Sequence, residues 1–366
     1  MFQQLFKDIA AHAMELDEPG CFPEMEIKWM GAAGLLQVVL PDKPLDFNRH
    51  SLKDLLQLLK NVGAANLSLG RIYEGHINAL QLVHVFATAQ QKEIWYGAAL
   101  KNNLFGVWNT EENGGLQIHP LPNGRFQLVG AKLFCSGSTW INCPLITGSL
   151  METDKKGWQM FILPPGKLSD THLDRQFWDP MGMKASASYK IDFTGIEIGY
   201  EDFLGAPDGY YQEPYFNGGA VRFAAVQLGA AGAVLVATQE FLVKNNRTNT
   251  DFQRARIAEM AMLAESGNNW LNAAAIKMDG WIISKEENER HAAYAGMVRT
   301  AMEGICSRIL YLSGVCVGSR GLMKPNVLER LHRDLTFYLR QPAPDTILSG
   351  IGQYVFNHKN LASAWE

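Results

Sequence analysis

Up to about Asn103 the apolar positions recur at helical spacing. In "SLKDLLQLLKNVG" the leucines at 52, 55, 56, 58 and 59 make one broad face, Ser51 stands at the N-cap and Gly63 marks a stop. The period then shortens. "RFQLVG", "GWQMFILPPG" and "SYKIDFTGIEI" alternate apolar with polar residues between Gly, Pro and Asn, and Asn123-Gly124 is a hairpin signal, so this stretch predicts strands. From Asn217 the long period returns. Helices are predicted at about 221–246 and 252–279, a third introduced by Ser284 with Glu287 at capping-box spacing, a fourth after Pro325 and a fifth near Asp345. The order predicts an α+β chain with an N-terminal helical domain (1–104), a central β-domain (105–208) and a C-terminal helical bundle (209–366).

Composition narrows the partners. The 366 residues are 47% hydrophobic and 19% charged, enough for a substantial core, and 33 basic against 37 acidic residues leave a formal charge of -4 without any basic block. That balance gives nucleic acid or an anionic membrane no electrostatic footing and points to a small-molecule substrate. The five cysteines form no CxxC pair, which argues against a disulfide framework or a zinc site and for a reducing cytoplasm; no metal is expected. The N-terminus is amphipathic and acidic beyond Lys7, unlike a signal peptide, and the apolar run from Phe223 to Ala237 is shorter than the roughly 20 residues of a bilayer span. No membrane association is expected.

Generic chemistry motifs are missing. Helices, strands and helices in blocks argue against the alternating Rossmann order, and there is no GxGxxG, Walker loop, HExxH or GxSxG. "GAAG" at 229–232 lies inside an apolar helical run, where small residues serve close helix packing. One local feature stands out: the strand "KLFCS" ends in Ser136-Gly137-Ser138 and resumes at Trp140.

Six phrases, in order, resemble the acyl-CoA dehydrogenase family of flavoproteins across nearly the whole chain: "ELDEPGCFPEMEIKWMGAAGLL", "FGVWNTEENGG", "GAKLFCSGSTWIN", "MGMKASASYKIDFTGIEI", "VRFAAVQLGAAGAVLVATQEFLVKNNR" and "GSRGLMKPNVLERLHRD". The resemblance implies a β-barrel-like or β-sandwich middle domain, a C-terminal four-helix bundle, and FAD, with FMN as the other option, bound across the subunit interfaces of a homodimer or homotetramer. It places Ser136 beside the reactive nitrogen of the flavin, where negative charge develops on reduction, with Cys135 and Gly137 supplying backbone. Trp108, Asn109 and Thr110 fall on the strand under the ring, Thr110 holding its pyrimidine side, and Phe134 replaces an indole. Arg247 resembles an arginine that reaches the pyrophosphate of a neighbouring subunit's cofactor; Gln253 is assigned similar work, and Gly318, Ser319 and Gly321 the adenosine half. Trp178 and Met183 fall where the substrate cavity is bordered.

The departures are as informative. A dehydrogenase of this family needs a carboxylate above the ring to take a proton α to a thioester, and its two usual places fall on Pro342 and on Val221, just before Arg222. Asp345 is the nearest carboxylate downstream, with helix capping as its other role. The dibenzothiophene monooxygenase branch of the same superfamily is similar at "KLFCSG", at "RDLTFYLRQPAPDTILSGIGQYVFN" and at "YEGHINAL". It puts His76 on the substrate side, ahead of His84, and the place of its tail histidine falls on Gln341. Such enzymes take reduced flavin and oxygen and exclude water. Three functions are therefore expected in competition. They are acyl-CoA dehydrogenation, with an electron-transfer partner; monooxygenation, with a flavin reductase; and a degenerate scaffold that binds flavin or an acyl carrier without turnover. His76, Ser136, Arg222 and Gln341 are the candidate catalytic residues.

Overall fold

The computed structural model describes residues 2–152, 156–284, 288–340, 342–358 and 365. Five helices open the chain: α1 (Gln3–His12), α2 (Glu24–Ala32), α3 (Leu52–Ala65), α4 (Leu67–Phe86) and α5 (Ala89–Leu100). Strands follow as β1 (Phe105–Trp108), β2 (Gln117–Pro120), β3 (Phe126–Val129), β4 (Ala131–Cys135), β5 (Cys143–Met151), β6 (Lys156–Ile162), β7 (Leu173–Asp174), β8 (Tyr189–Asp192), β9 (Glu197–Ile198) and β10 (Phe203–Leu204). Helices α6 (Tyr215–Lys244), α7 (Asp251–Ser284), α8 (Asn288–Gly321), α9 (Val327–Tyr338) and α10 (Pro344–Asn357) complete it. The α+β order of the sequence reading is the order observed.

The strands form two sheets. A seven-stranded sheet runs β10-β6-β5-β2-β3-β9 with β1 parallel to β5, and a three-stranded sheet runs β4-β8-β7. Pro120 and Phe126 face each other across the β2–β3 hairpin, whose turn carries Gly124 at φ +77°, a value glycine tolerates without strain. The pairing of β4 with β8 is broken by a bulge between Lys132 and Cys135, and a bulge re-aims the side chains beside it.

Helix α6 is the axis of the helical part. Small residues let it approach α3 at backbone distance: a β-carbon on Gly229 would stand 2.0 Å from the Lys60 carbonyl oxygen, and one on Gly63 2.3 Å from that of Val226. Gly63 is thus a packing glycine, and the stop expected there is corrected, since α3 continues to Ala65. Three further expectations shift. Helix α6 begins at Tyr215, earlier than 221. Helix α7 runs through Ser284, whose hydroxyl donates back to the Gly280 carbonyl at 3.1 Å, while Glu287 lies outside the described residues. Asp345 sits in the first turn of α10, whose N-cap is Ala343, with no side-chain capping bond. The apolar run expected to be too short for a span lies in a 30-residue helix; by length and composition α6 and α8 could each cross a membrane, but 67% of the most apolar window of α6 is buried in the bundle, as befits a core helix.

Candidate active site

The polar end of β4 is built by two serines with opposite duties. Ser138, fully buried, shares its one proton between the carbonyls of Cys135 and Ala187, both at 2.8 Å, and accepts from the Tyr189 amide at 3.2 Å, stapling β4 to β8. Gly137, at φ +78°, turns the chain between them, its amide donating to the Ser186 carbonyl at 2.8 Å. Ser136 ends a chain of hydroxyls: Ser186 and Ser188 are 2.8 Å apart, and Ser188 donates to Ser136 at 2.9 Å. Among the described residues the Ser136 proton has only the Phe134 carbonyl, 3.5 Å away, at the limit of a hydrogen bond. It is free to donate outward, and acceptance from Ser188 polarises it.

The neighbours hold that hydroxyl in place. The Trp108 indole, buried beneath it, donates to the Ser136 carbonyl at 3.1 Å. Asn109 accepts from Thr147 at 2.7 Å and from the Trp158 indole at 3.0 Å, and its carbonyl takes the Lys132 ammonium at 3.0 Å. Lys132 is wholly buried, paired with Glu111 at 2.5 Å, and burial lowers its pKa. Thr110 is exposed, its carbonyl bonded to the Leu133 amide at 2.8 Å. Cys135 is buried, and desolvation raises its thiol pKa, so it lends backbone here. Phe134 is 44% exposed at φ +54°, edge-on to Phe177 and Trp178. A phenylalanine in the left-handed region is strained; the bulge in β4 carries that strain and presents the ring outward.

A second group lies at the far end of the bundle. Gln253, in α7, is buried; its amide nitrogen donates to the Cys316 carbonyl at 3.2 Å while its oxygen Oε1 has no partner among the described residues. Arg247 and Arg256 lie close enough to Cys316 to favour its thiolate, although burial raises that thiol overall. Gly318 breaks the α8 geometry at φ +64°, with open space where a side chain would project. Ser319 is exposed, and Gly321 has no room for a β-carbon, which would stand 2.3 Å from that of Val317. An orphaned acceptor, nearby guanidinium groups and a glycine kink are features that suit a nucleotide-bearing ligand.

The third group is the interior between α4 and α6. His76 is fully buried: Nε2 donates to the Leu36 carbonyl at 2.7 Å, Nδ1 accepts from the Phe105 amide at 3.1 Å, and burial drives its pKa down to about 4. Both nitrogens are committed to main chain, and Tyr73, one turn earlier, donates to the Leu35 carbonyl from the same face. Glu74, about 200° round the helix from His76, faces α6 and is missing from the sequence reading. Arg71 donates to its Oε2 at 2.8 Å, Asn78 donates to its Oε1, and Asn78 in turn accepts from Arg222 Nε. Burial raises the Glu74 pKa against the pull of Arg71 and Arg222, and burial lowers that of Arg222 to about 10. Val221 beside it is wholly buried. The spacing of Arg71, Glu74 and Asn78 along one helical face was a signal for this network. His84 bonds the Tyr96 hydroxyl at 3.1 Å and lines a cavity with Arg222. Trp178 meets Phe337 edge-on, and the Met183 amide donates to Asp334 Oδ1 at 2.6 Å. Gln341 lies outside the described residues.

No protein-family model matches the chain. It is 25% identical to a probable acyl-CoA dehydrogenase, YngJ, of Bacillus subtilis over 90% of this chain and 88% of that protein. It is 23% identical to dibenzothiophene monooxygenase of Rhodococcus erythropolis over 63% of this chain and 58% of that protein. With a probable FMNH2-dependent monooxygenase, SfnC, of Pseudomonas putida it shares 22% over 99% of this chain and 95% of that protein. Among solved structures, FMN-bound TdsC of Paenibacillus sp. A11-2 superposes with a TM-score of 0.86 at 18% identity over 99% of this chain and 98% of that one. Butyryl-CoA dehydrogenase of Megasphaera elsdenii gives 0.82 at 18% identity over 97% of each.

Proposed function

We propose that the chain, which has the acyl-CoA dehydrogenase fold, is a flavin-dependent oxidoreductase and, within that class, a monooxygenase acting with reduced flavin and oxygen on a small organic substrate. The carrying observation is the state of the two base positions. Val221 is a buried aliphatic side chain, Pro342 cannot take a proton, and the carboxylate that faces α6 from α4, Glu74, has both oxygens bound by Arg71 and Asn78. Proton abstraction α to a thioester therefore lacks its agent at either of the two usual positions. When bound, the flavin supplies the electrons with which oxygen is divided between product and water.

What the protein adds is position. Ser136 offers a proton at an edge that gains negative charge, with Ser188 behind it and the Trp108 indole fixing its carbonyl. Phe134 and Trp178 present aromatic surface beside it, the kind of wall that keeps water from a reactive site. The unpartnered oxygen of Gln253 and the nearby Arg247 support a cofactor reached from a second subunit, FAD or FMN. Exposed apolar side chains on α7, Phe252 at 76% and Ile276 at 69%, favour burial against another copy as homodimer or homotetramer. A flavin reductase is the partner this chemistry requires.

Anaerobic mixing tests the reading. A series of acyl-CoA thioesters should leave the bound oxidised flavin unbleached, while the enzyme loaded with reduced FMN or FAD should consume oxygen with substrate-dependent oxygenation. Bleaching by any acyl-CoA on the catalytic timescale would contradict it and restore dehydrogenation.

A further inference from the structure

Arg222 is 97% buried yet its charge is only half accounted for, its relative exposure being 3%. Nε donates to Asn78, but among the described residues neither terminal nitrogen, Nη1 or Nη2, has a hydrogen-bond acceptor, and the fork passes the backbone of Gly218, whose β-carbon position is 3.5 Å from Nη1. Glu74 does not serve as its direct partner, because its oxygens are taken by Arg71 and Asn78. Glu74 lies near enough to favour the Arg222 charge but is shared with Arg71, so the fork itself meets no anion at hydrogen-bond distance among the described residues, an incompletely compensated burial. The side chain lines a cavity of about 320 Å³ between α3, α4, α6 and α7.

The rest of that cavity says what the anion carries. Leu52, Leu55, Val85 and Met278 give it an apolar wall. Its one carboxylate, Asp279, is engaged elsewhere: Oδ2 accepts from the Leu52 amide at 3.1 Å, and His50 lies near enough to favour its charge. His84, on the same wall as Val85, spends Nδ1 on Tyr96. The volume is at the low end of small-molecule sites.

We propose that this cavity binds a small organic anion, with a carboxylate or sulfonate-type group received by the fork of Arg222 and an apolar body against Leu52, Leu55 and Val85. A planar fork with two free donors suits bidentate capture of an oxyanion. As an assignment of substrate class this rests on the oxidoreductase reading above; as a binding site it stands without it, because no flavin takes part in the contact.

Calorimetric titration of the purified protein, free of flavin, with hexanoate, hexanesulfonate, hexanamide and inorganic sulfate tests it. The expected result is saturable binding of the two organic anions at least tenfold tighter than of hexanamide or sulfate. Arg222→Gln should abolish that preference, and Val85→Trp, which fills the cavity and leaves the guanidinium untouched, should weaken hexanoate at least tenfold in a protein whose circular dichroism is unchanged. Equal binding of hexanoate and hexanamide by the wild type, sulfate binding as tight as hexanoate, or hexanoate binding unaffected by Val85→Trp would overturn the proposal. If hexanoate binds as expected while neither FMN nor FAD does, the site stands and the oxygenase reading falls.

Discussion

The polar edge of the β-domain and the polar seam between α4 and α6 solve opposite problems. At the edge, hydroxyls pass hydrogen bonds along a line from Ser186 to Ser136 and leave one proton uncommitted at the rim. In the seam, full charges are buried and tied down, Glu74 by Arg71 and Asn78, with only the Arg222 fork left facing space. A neutral hydroxyl such as that of Ser136, only 8% exposed, can lack a strong acceptor at smaller cost than a charge, whereas buried ions must be paired or given a ligand. The edge is therefore tunable, and the seam is where stability is at risk.

The sharpest way to break the contrast is Glu74→Ala, which leaves two guanidinium groups without their carboxylate. It should cost about 3–5 kcal/mol in denaturant unfolding, and a loss under 1 kcal/mol would show the seam to be wetter than its burial implies. Next comes acid. The folded pKa values of His76 and of His332, which lies in α9 with its Nε2 bonded to the Ser313 hydroxyl at 3.0 Å, are held at about 4 by burial, below an unfolded value of about 6.5. The unfolded chain thus binds more protons, and the stability these histidines allow is intact above pH ~6.5 and lost as pH falls toward ~4, by up to ~1.4 kcal/mol per pH unit for each. His76→Gln should flatten that slope by its share in thermal melts across the window; an unchanged slope would mean the imidazole is protonated in the fold.

Smaller effects belong to the edge. Ser188→Ala removes the donor behind Ser136 and should lower turnover roughly tenfold, with melting temperature within a few degrees of wild type, since one neutral hydrogen bond is worth about 1 kcal/mol. Arg247→Ala should weaken FAD by about tenfold and FMN hardly at all, as fits a lost charge-assisted bond to a pyrophosphate; equal loss for both flavins would place that arginine elsewhere.

What could be read in advance follows the same divide. The β-domain edge was legible because its residues sit in one short phrase: a strand ending in Ser136-Gly137-Ser138 announces a hydroxyl at a turn. Ser186 and Ser188 were not, because the bulge in β4 and the positive φ of Phe134 decide where β8 meets it. In the seam, "YEGHINAL" drew attention to His76 for its ring, while helical geometry turned that ring to Leu36 and Phe105 and turned Glu74 toward α6. Gly63 read as an ending because its contact, the Val226 carbonyl, lies far along the chain. Long-range packing is invisible to local periodicity.

The most direct measurement compares wild type and Ser136→Ala for anaerobic affinity toward reduced and oxidised FMN. Tighter binding of the reduced form by wild type, with that preference falling at least ~10-fold in the variant, is the expected result for a hydroxyl that meets developing negative charge. Identical affinities of both proteins for both forms would mean that no flavin lies against Ser136.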